Sequence, residues 1–137
     1  MRRNALSTNR EAVELEDRVH HQIERAKSLP VGWDGYSAEP PSQAAIDGAL
    51  VALDILYRLD SLPVRAVPLA DGGMALAIMV RPFYAALELY NDGEAVVAFS
   101  DRKERQLAWE VKVNEAQLRL FFVRAHSFCH GDRIARD

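Results

Sequence analysis

Between residues 64 and 113 the sequence alternates apolar residues with polar or small ones at a period of two, the period of a β-strand. Short turn signals interrupt this alternation at Asp71-Gly72-Gly73, Arg81-Pro82 and Asn91-Asp92-Gly93. Asn, Asp and Gly tolerate the positive φ angles that tight hairpin turns require. Connections this short join neighbouring antiparallel strands, so the segment predicts an antiparallel meander. The predicted strands span 64–69, 74–80, 83–90, 94–100 and 106–113, and Pro68 makes the first an edge strand.

Helical periodicity flanks the predicted strands on both sides. A first helix is expected from Arg10 to about Ser28, and a second from Gln43 to Asp60. The second is apolar on nearly every side, so we expect it between the first helix and the sheet. A last helix, capped by Asn114, is expected from Glu115 to about His130. The order is α-α-β-β-β-β-β-α, an α+β fold with the helices packed on one face of the sheet.

Length and composition indicate one ordinary globular domain. The chain has 137 residues, of which 49% are hydrophobic and 27% are charged. We expect a single domain over residues 10–130, with flexible polar tails at 1–9 and 131–137. A net charge of −3 gives no electrostatic footprint of a nucleic-acid-binding protein, so no nucleic-acid partner is expected.

The same inventory favours a cytoplasmic protein that is not bound to a membrane. No apolar run approaches the roughly 18 residues of a membrane span, and the first residues lack the apolar core of a secretory signal. Cys129 is the single cysteine, so the chain has no internal disulfide, as is usual in a reducing compartment.

The segment from Gly32 to Ser42 predicts a rigid corner between the first two helices. Its glycines permit positive φ, Asp34 can accept hydrogen bonds from nearby backbone amides, and Pro40-Pro41 keeps the chain extended ahead of Ser42, the expected N-cap. Trp33 either fills a groove between helices, with its indole N–H donating to Asp34 or a carbonyl, or forms a solvent-facing recognition site with Asp34 and Tyr36.

This corner resembles a set of small bacterial proteins that carry a (Gly/Asn)-Trp-Asp-Gly-Tyr-Gly-Ala-x-Pro segment. The matching residues are Gly32 to Tyr36, Ala38 and Pro40, followed later by Asp71-Gly72-Gly73 at the start of a strand. Ser37 stands where the pattern usually has glycine. The resemblance covers residues 29–100. It supports the architecture and implies no functional residues.

The strand pattern leaves a second face of the sheet that is not properly polar. If the helices cover one face, the other is an alanine-rich surface with aromatic and methionine anchors, which is typical of an interaction site. The alternative is that the last helix crosses over and covers it. The residues expected on this face are Ala75, Ala77, Met79, Tyr84, Ala86, Tyr90, Val97 and Ala108.

Chemical motifs are weak. His126, Cys129 and His130 lie at i, i+3 and i+4 of the last helix and are a weak candidate for zinc, which would need a fourth ligand from elsewhere. A buried inert Cys129 with histidines at the surface is the simpler interpretation. The sequence lacks a phosphate-binding loop, a nucleophile elbow and a dinucleotide fingerprint, so we expect neither an enzyme nor a cofactor.

These observations favour a non-enzymatic protein-binding module of bacterial or phage origin, acting stoichiometrically as an antitoxin, an immunity factor or an inhibitor of a defence complex. Its partner is another protein or a second copy of the chain. Two alternatives stay open: a small-ligand-binding or hydrolytic site at the Trp33-Asp34-Tyr36 corner, and a structural homodimer. The candidate binding residues are Trp33, Asp34, Tyr36, Met79, Tyr84, Ala86 and Tyr90.

Overall fold

The computed structural model describes residues 5–59, 64–101, 103 and 106–130, with side-chain environments from residue 13 onward. Its helices are α1 (Ala5–Lys27), α2 (Gln43–Leu59) and α3 (Glu115–Cys129). Its strands are β1 (Val64–Leu69), β2 (Gly73–Val80), β3 (Phe83–Tyr90), β4 (Ala95–Ser100) and β5 (Gln106–Val111). All five strands form one antiparallel sheet in the order β1-β2-β3-β4-β5. The predicted α+β fold and its meander are confirmed.

Element boundaries differ from the predictions at a few ends. Helix α1 begins at Ala5 rather than Arg10, so residues 5–9, expected in a loose tail, are helical. A helix formed downstream extends through residues without apolar periodicity, because each added residue only has to propagate it. Strand β5 ends at Val111 rather than Val113. The remainder of the expected tails, residues 1–4 and 131–137, lies outside the described residues.

All three helices lie against the same face of the sheet, which we call the core face. Helix α1 packs against β1, α2 against β2 and β3, and α3 against β2, β3 and β4. Their buried side chains and those of the core face form one cluster. Helix α2 contacts both other helices as well as the sheet, as its apolar surface predicts. The alternative in which α3 covers the opposite face is wrong, because Leu118, Phe121 and Phe128 belong to this cluster.

Both predicted helix caps are present. The Ser42 hydroxyl accepts a 3.1 Å hydrogen bond from the Ala45 N–H at the start of α2. The Asn114 side chain accepts a 2.9 Å bond from the Gln117 N–H at the start of α3. Each cap pairs a backbone donor that has no partner within its own helix. The caps therefore fix where α2 and α3 begin relative to the sheet.

Candidate functional site

The face of the sheet opposite the helices, which we call the outer face, is the candidate site. In β2 to β4 it carries every second residue, and none of these belongs to the core cluster. Met79 is 45% exposed, which shows that solvent reaches this side. The outer-face residues of β2 to β5 are Ala75, Ala77, Met79, Tyr84, Ala86, Glu88, Tyr90, Val96, Ala98, Ser100, Gln106, Ala108 and Glu110.

A row of four alanines crosses the middle of the outer face at right angles to the strands. The register sets Ala77 opposite Ala86, Ala86 opposite Ala98, and Ala98 opposite Ala108. Neighbouring strands lie about 4.8 Å apart, so the row is roughly 15 Å long. Because each side chain is a single methyl group, the row lies lower than its flanks and forms a shallow apolar trough. Ala108 is exposed and Ala77 and Ala98 are half-buried, whereas Ala86 is only 1% exposed.

Two rows of residues border the trough, and all of their side chains except Ala75 are larger than alanine. One border contains Met79, Tyr84, Ser100 and Gln106, which are directly opposite one another in successive strands. The other contains Ala75, Glu88, Val96 and Glu110, in the same relation. Two carboxylates therefore stand along one border, whereas the other carries an aromatic ring, a thioether and two neutral polar groups.

Tyr90 lies at one end of the outer face, next to the acidic border. Its hydroxyl donates a 3.2 Å hydrogen bond to Glu88 Oε1. Burial, together with the negative charges of Glu88 and Asp71, raises the pKa of Tyr90. Tyr90 therefore stays a neutral donor at physiological pH and holds the Glu88 carboxylate on the surface of the sheet.

Four of the candidate residues share this face, as the alternation predicted. Met79 and Tyr84 face each other, Ala86 lies in the trough, and Tyr90 faces Gly73. Met79 lies six positions after Gly73 along β2, which is about 20 Å at the usual strand rise. The prediction that Val97 lies on the outer face was wrong. Val97 is opposite Leu87 on the core face and 1% exposed, and Val96 takes the outer position.

The corner between α1 and α2 holds the other three candidates. Asp34 Oδ1 accepts hydrogen bonds from the N–H groups of Tyr36, at 2.9 Å, and Ala38, at 3.2 Å. The Trp33 indole N–H donates to the Glu39 carbonyl at 3.1 Å, one of the two acceptor types expected. Trp33 is only half-buried and is not part of the core cluster, and Tyr36 is 87% exposed. The contacts of Asp34 and Trp33 stabilise the loop itself.

The last helix separates its three potential metal ligands. Cys129 is 2% exposed and packs into the core, and burial raises the pKa of its thiol. His126 and His130 are exposed, with ring centroids 4.4 Å apart. The His130 Nδ1 lies 2.6 Å from the His126 carbonyl oxygen. Within the described residues no three His, Cys, Asp or Glu side chains gather as a metal ion would require.

The alanine row is the feature that sequence reasoning missed. Alternation assigned residues to a face but did not say which residues lie opposite each other. The signal was present in the turns, because the two-residue link Arg81-Pro82 sets Val80 opposite Phe83 and thereby fixes the whole β2–β3 register.

Comparisons with protein-family models, curated proteins and solved structures find no match to this chain. Among the helices of the described residues, none combines the length and apolar character needed to cross a membrane.

Proposed function

We propose that this protein is a non-enzymatic protein-binding module whose docking surface is the outer face. The alanine row carries this proposal. A trough of methyl groups lets a ridge of apolar side chains approach the sheet closely, and protein interfaces have such uncharged centres with polar rims. Met79 and Tyr84 supply the adaptable and aromatic contacts that commonly anchor a partner.

The charges beside the trough define the chemistry of the partner. Glu88 and Glu110 stand on the same border, and the whole chain carries a net charge of −3, whereas the exposed Arg65 of β1 stands opposite Ala77 at the end of the row. Electrostatic complementarity favours a partner with the opposite charge next to its apolar ridge. The occupant we propose is therefore a protein element with a narrow apolar ridge and lysine or arginine side chains along one flank.

Stoichiometric occlusion is the mode of action that this surface suits. An antitoxin, an immunity factor or an inhibitor of a defence complex acts by covering a functional surface of its target, and a basic target surface is complementary to the acidic border. Such a protein needs shape and charge complementarity rather than a catalytic group. The biological role we propose is that of a bacterial or phage inhibitor of this kind.

The experiment compares complexes formed by three tagged proteins in the native host: the wild type, Met79→Arg and Val51→Arg. Val51, on α2, is 50% exposed and matches Met79 in accessibility while lying in the helical layer. The proposal expects a complex of fixed stoichiometry that Met79→Arg abolishes and Val51→Arg retains, with a partner whose contact surface is basic. A complex that survives Met79→Arg but is lost in Val51→Arg would place the docking surface on the helices and refute the proposal.

A further inference from the structure

The two edge strands of the sheet, β1 and β5, differ in whether their outward backbone groups are free to pair, and those of β1 are blocked. The Ala66 N–H points away from β2 and donates a 2.8 Å hydrogen bond to Gln22 Oε1 of α1. In an antiparallel ladder every second residue points its backbone groups outward, so Pro68 is also an outward position. Proline has no N–H to offer there. A helix side chain and a proline therefore close this edge to pairing.

The phase of the ladder shows which groups of β5 point outward. The Tyr90 N–H donates to the Glu94 carbonyl at 2.8 Å, which makes Glu88 and Val96, and then Ala86 and Ala98, hydrogen-bonded pairs. The intervening residues of β4, Val97 and Phe99, therefore direct their backbone groups toward Trp109 and Leu107 of β5. The backbone groups of Gln106, Ala108 and Glu110, which alternate with these, point away from the sheet. Lys112, which follows in the same phase, donates its N–H to Gln117 Oε1 at 2.7 Å, outside the ladder, in agreement with this assignment.

Within the part of the chain that the structure describes, the β5 edge is open over these three residues. No hydrogen bond from a helix or loop of the described residues reaches the N–H groups of Gln106, Ala108 or Glu110. None of the three is a proline, and all three are exposed. An unblocked edge strand is a template for pairing with another strand.

We propose that a second copy of this chain pairs with the β5 edge, antiparallel about a two-fold axis at Ala108, to form a continuous ten-stranded sheet. The sequence of β5 is self-complementary in this register. Gln106 faces Glu110 of the second copy, an amide opposite a carboxylate, and no like charges face each other within β5. Three outward residues on each strand give about six backbone hydrogen bonds.

Apolar side chains on the core side of the joint favour the same occupant. Leu107 comes opposite Trp109 of the second copy, and both are only half-buried at the margin of the core. A groove of about 350 Å³ lies between β5 and α3, with Trp109, Val111 and Leu120 among its lining residues. Leu120 is 46% exposed. A two-fold axis perpendicular to the sheet places both α3 helices on the same side, so each groove lies beside the other copy.

The first test measures the mass of the full chain in solution by sedimentation. The wild type is expected at twice 15.4 kDa, about 31 kDa. Ala108→Pro removes an outward N–H and no ladder bond, as Pro68 already does in β1, so it is expected to keep the circular dichroism of the fold and to sediment at 15.4 kDa. Ala108→Ser keeps the N–H and is the matched control, expected to remain a dimer.

Oxidative crosslinking tests the register in which the two β5 strands pair. It also tests dimer formation if Ala108→Pro fails to fold. A hydrogen-bonded antiparallel pair places its Cα atoms about 5.5 Å apart, within the range of a disulfide. Ala108→Cys is therefore expected to form a covalent dimer, whereas Val51→Cys on α2, a comparably accessible control, is not. The native Cys129 is buried and does not compete.

Two results would overturn the proposal. One is a wild type that stays at 15.4 kDa at the highest concentration reached, together with Ala108→Cys crosslinking no faster than Val51→Cys. The other is a dimer that Met79→Arg dissociates and Ala108→Pro does not, because that dimer would use the outer face. The first result leaves the proposed partner of the outer face untouched, whereas the second would place a second copy of the chain on that face, so the failures of the two proposals are distinguishable.

Discussion

Asn91 and Ser42, 49 positions apart in the chain, are joined by a 2.7 Å hydrogen bond from the Ser42 backbone N–H to Asn91 Oδ1. The Asn91 amide also donates to the Pro40 carbonyl at 3.0 Å, and its backbone N–H donates to the Gly72 carbonyl at 3.0 Å. One residue of the β3–β4 turn thus holds both the corner before α2 and the β1–β2 turn. It fixes the start of α2 against one end of the sheet.

Asn91→Ala is expected to destabilise the fold by about 2 kcal/mol, because it leaves the Ser42 N–H and the Pro40 carbonyl without their side-chain partner. Urea unfolding at neutral pH measures this loss. The control is Asp92→Ala, in the same turn, which removes an exposed bond to the Glu94 N–H and is expected to cost less. An Asn91→Ala protein no less stable than Asp92→Ala would contradict this role of Asn91.

Gly73→Ala is expected to cost more than about 3 kcal/mol or to prevent folding, the range of severe backbone effects. Gly73 has a φ of +146°, and a Cβ there would collide with the Leu89 carbonyl oxygen of β3 and lie 2.9 Å from the Tyr90 Cα. Backbone atoms of a paired strand cannot move aside without breaking the ladder. The measurement is the midpoint of thermal unfolding.

Gly93→Ala is the matched control for that substitution. Gly93 also has a positive φ, +91°, but a Cβ there meets nothing within 4 Å. It is expected to cost only the conformational strain, about 1 kcal/mol. Equal losses for the two variants would show that the φ angle and not the contact with β3 sets the cost.

Tyr57→Phe is expected to leave stability unchanged or raise it by up to about 1 kcal/mol, because it removes a buried hydroxyl that lacks a hydrogen-bond partner. Among the described side chains, the Tyr57 hydroxyl is inaccessible and unpaired. Tyr36→Phe, at a residue that is 87% exposed, is expected to change nothing. A substantial loss of stability in Tyr57→Phe would reveal a partner for this hydroxyl.

The raised pKa of Tyr57 is expected to make the free energy of unfolding depend on pH in the alkaline range. Burial, followed by the negative charge of Glu16, raises its pKa above the usual value of 10.0. Above pH 10 the unfolded chain therefore releases this proton while the folded chain retains it, so the free energy of unfolding falls as pH rises. Urea titrations between pH 9 and 11 are expected to show a smaller decline in Tyr57→Phe than in the wild type. Parallel declines would mean that Tyr57 does not titrate differently in the two states.

Cys129 is expected to resist thiol reagents in the folded protein. It is 2% exposed, and burial raises its pKa, which lowers the fraction of reactive thiolate. Modification by a coloured disulfide reagent at pH 8 is expected to be at least about a hundredfold slower than in urea, because reaction requires opening of the core. Native modification as fast as that of the denatured chain would place the thiol on the surface.

Much of this architecture can be predicted from local pattern. The turn signals around Arg81-Pro82 and Asn91 predicted the meander, and Ser42 and Asn114 predicted the starts of two helices. Turn residues and helix caps both act through backbone conformation and hydrogen bonds within a few residues, so they can be recognised in the sequence itself. The assignment of Met79, Tyr84, Ala86 and Tyr90 to one face was equally available, because side chains alternate along a strand.

The sequence was misleading where apolar residues do not alternate with polar ones. Strand β4 is apolar at Val96, Val97, Ala98 and Phe99 in succession, so alternation could not show which of the two valines faces the core. Pairing with β3 decided it, since Val97 is opposite Leu87. A shift of one residue exchanges the faces of a strand, and only the register excludes that shift.

The sequence by itself determined the kinds and order of the elements, the caps and the turns, because these depend on backbone preferences and hydrogen bonds within a few residues. Only the tertiary structure decided that α3 joins the core face, that Ala98 and Ala108 line up with Ala77 and Ala86, and that, among the described residues, a side chain of α1 closes the β1 edge while the β5 edge is open. Each of these depends on contacts between residues far apart in the chain, whose pairing is set by the packing of the whole core.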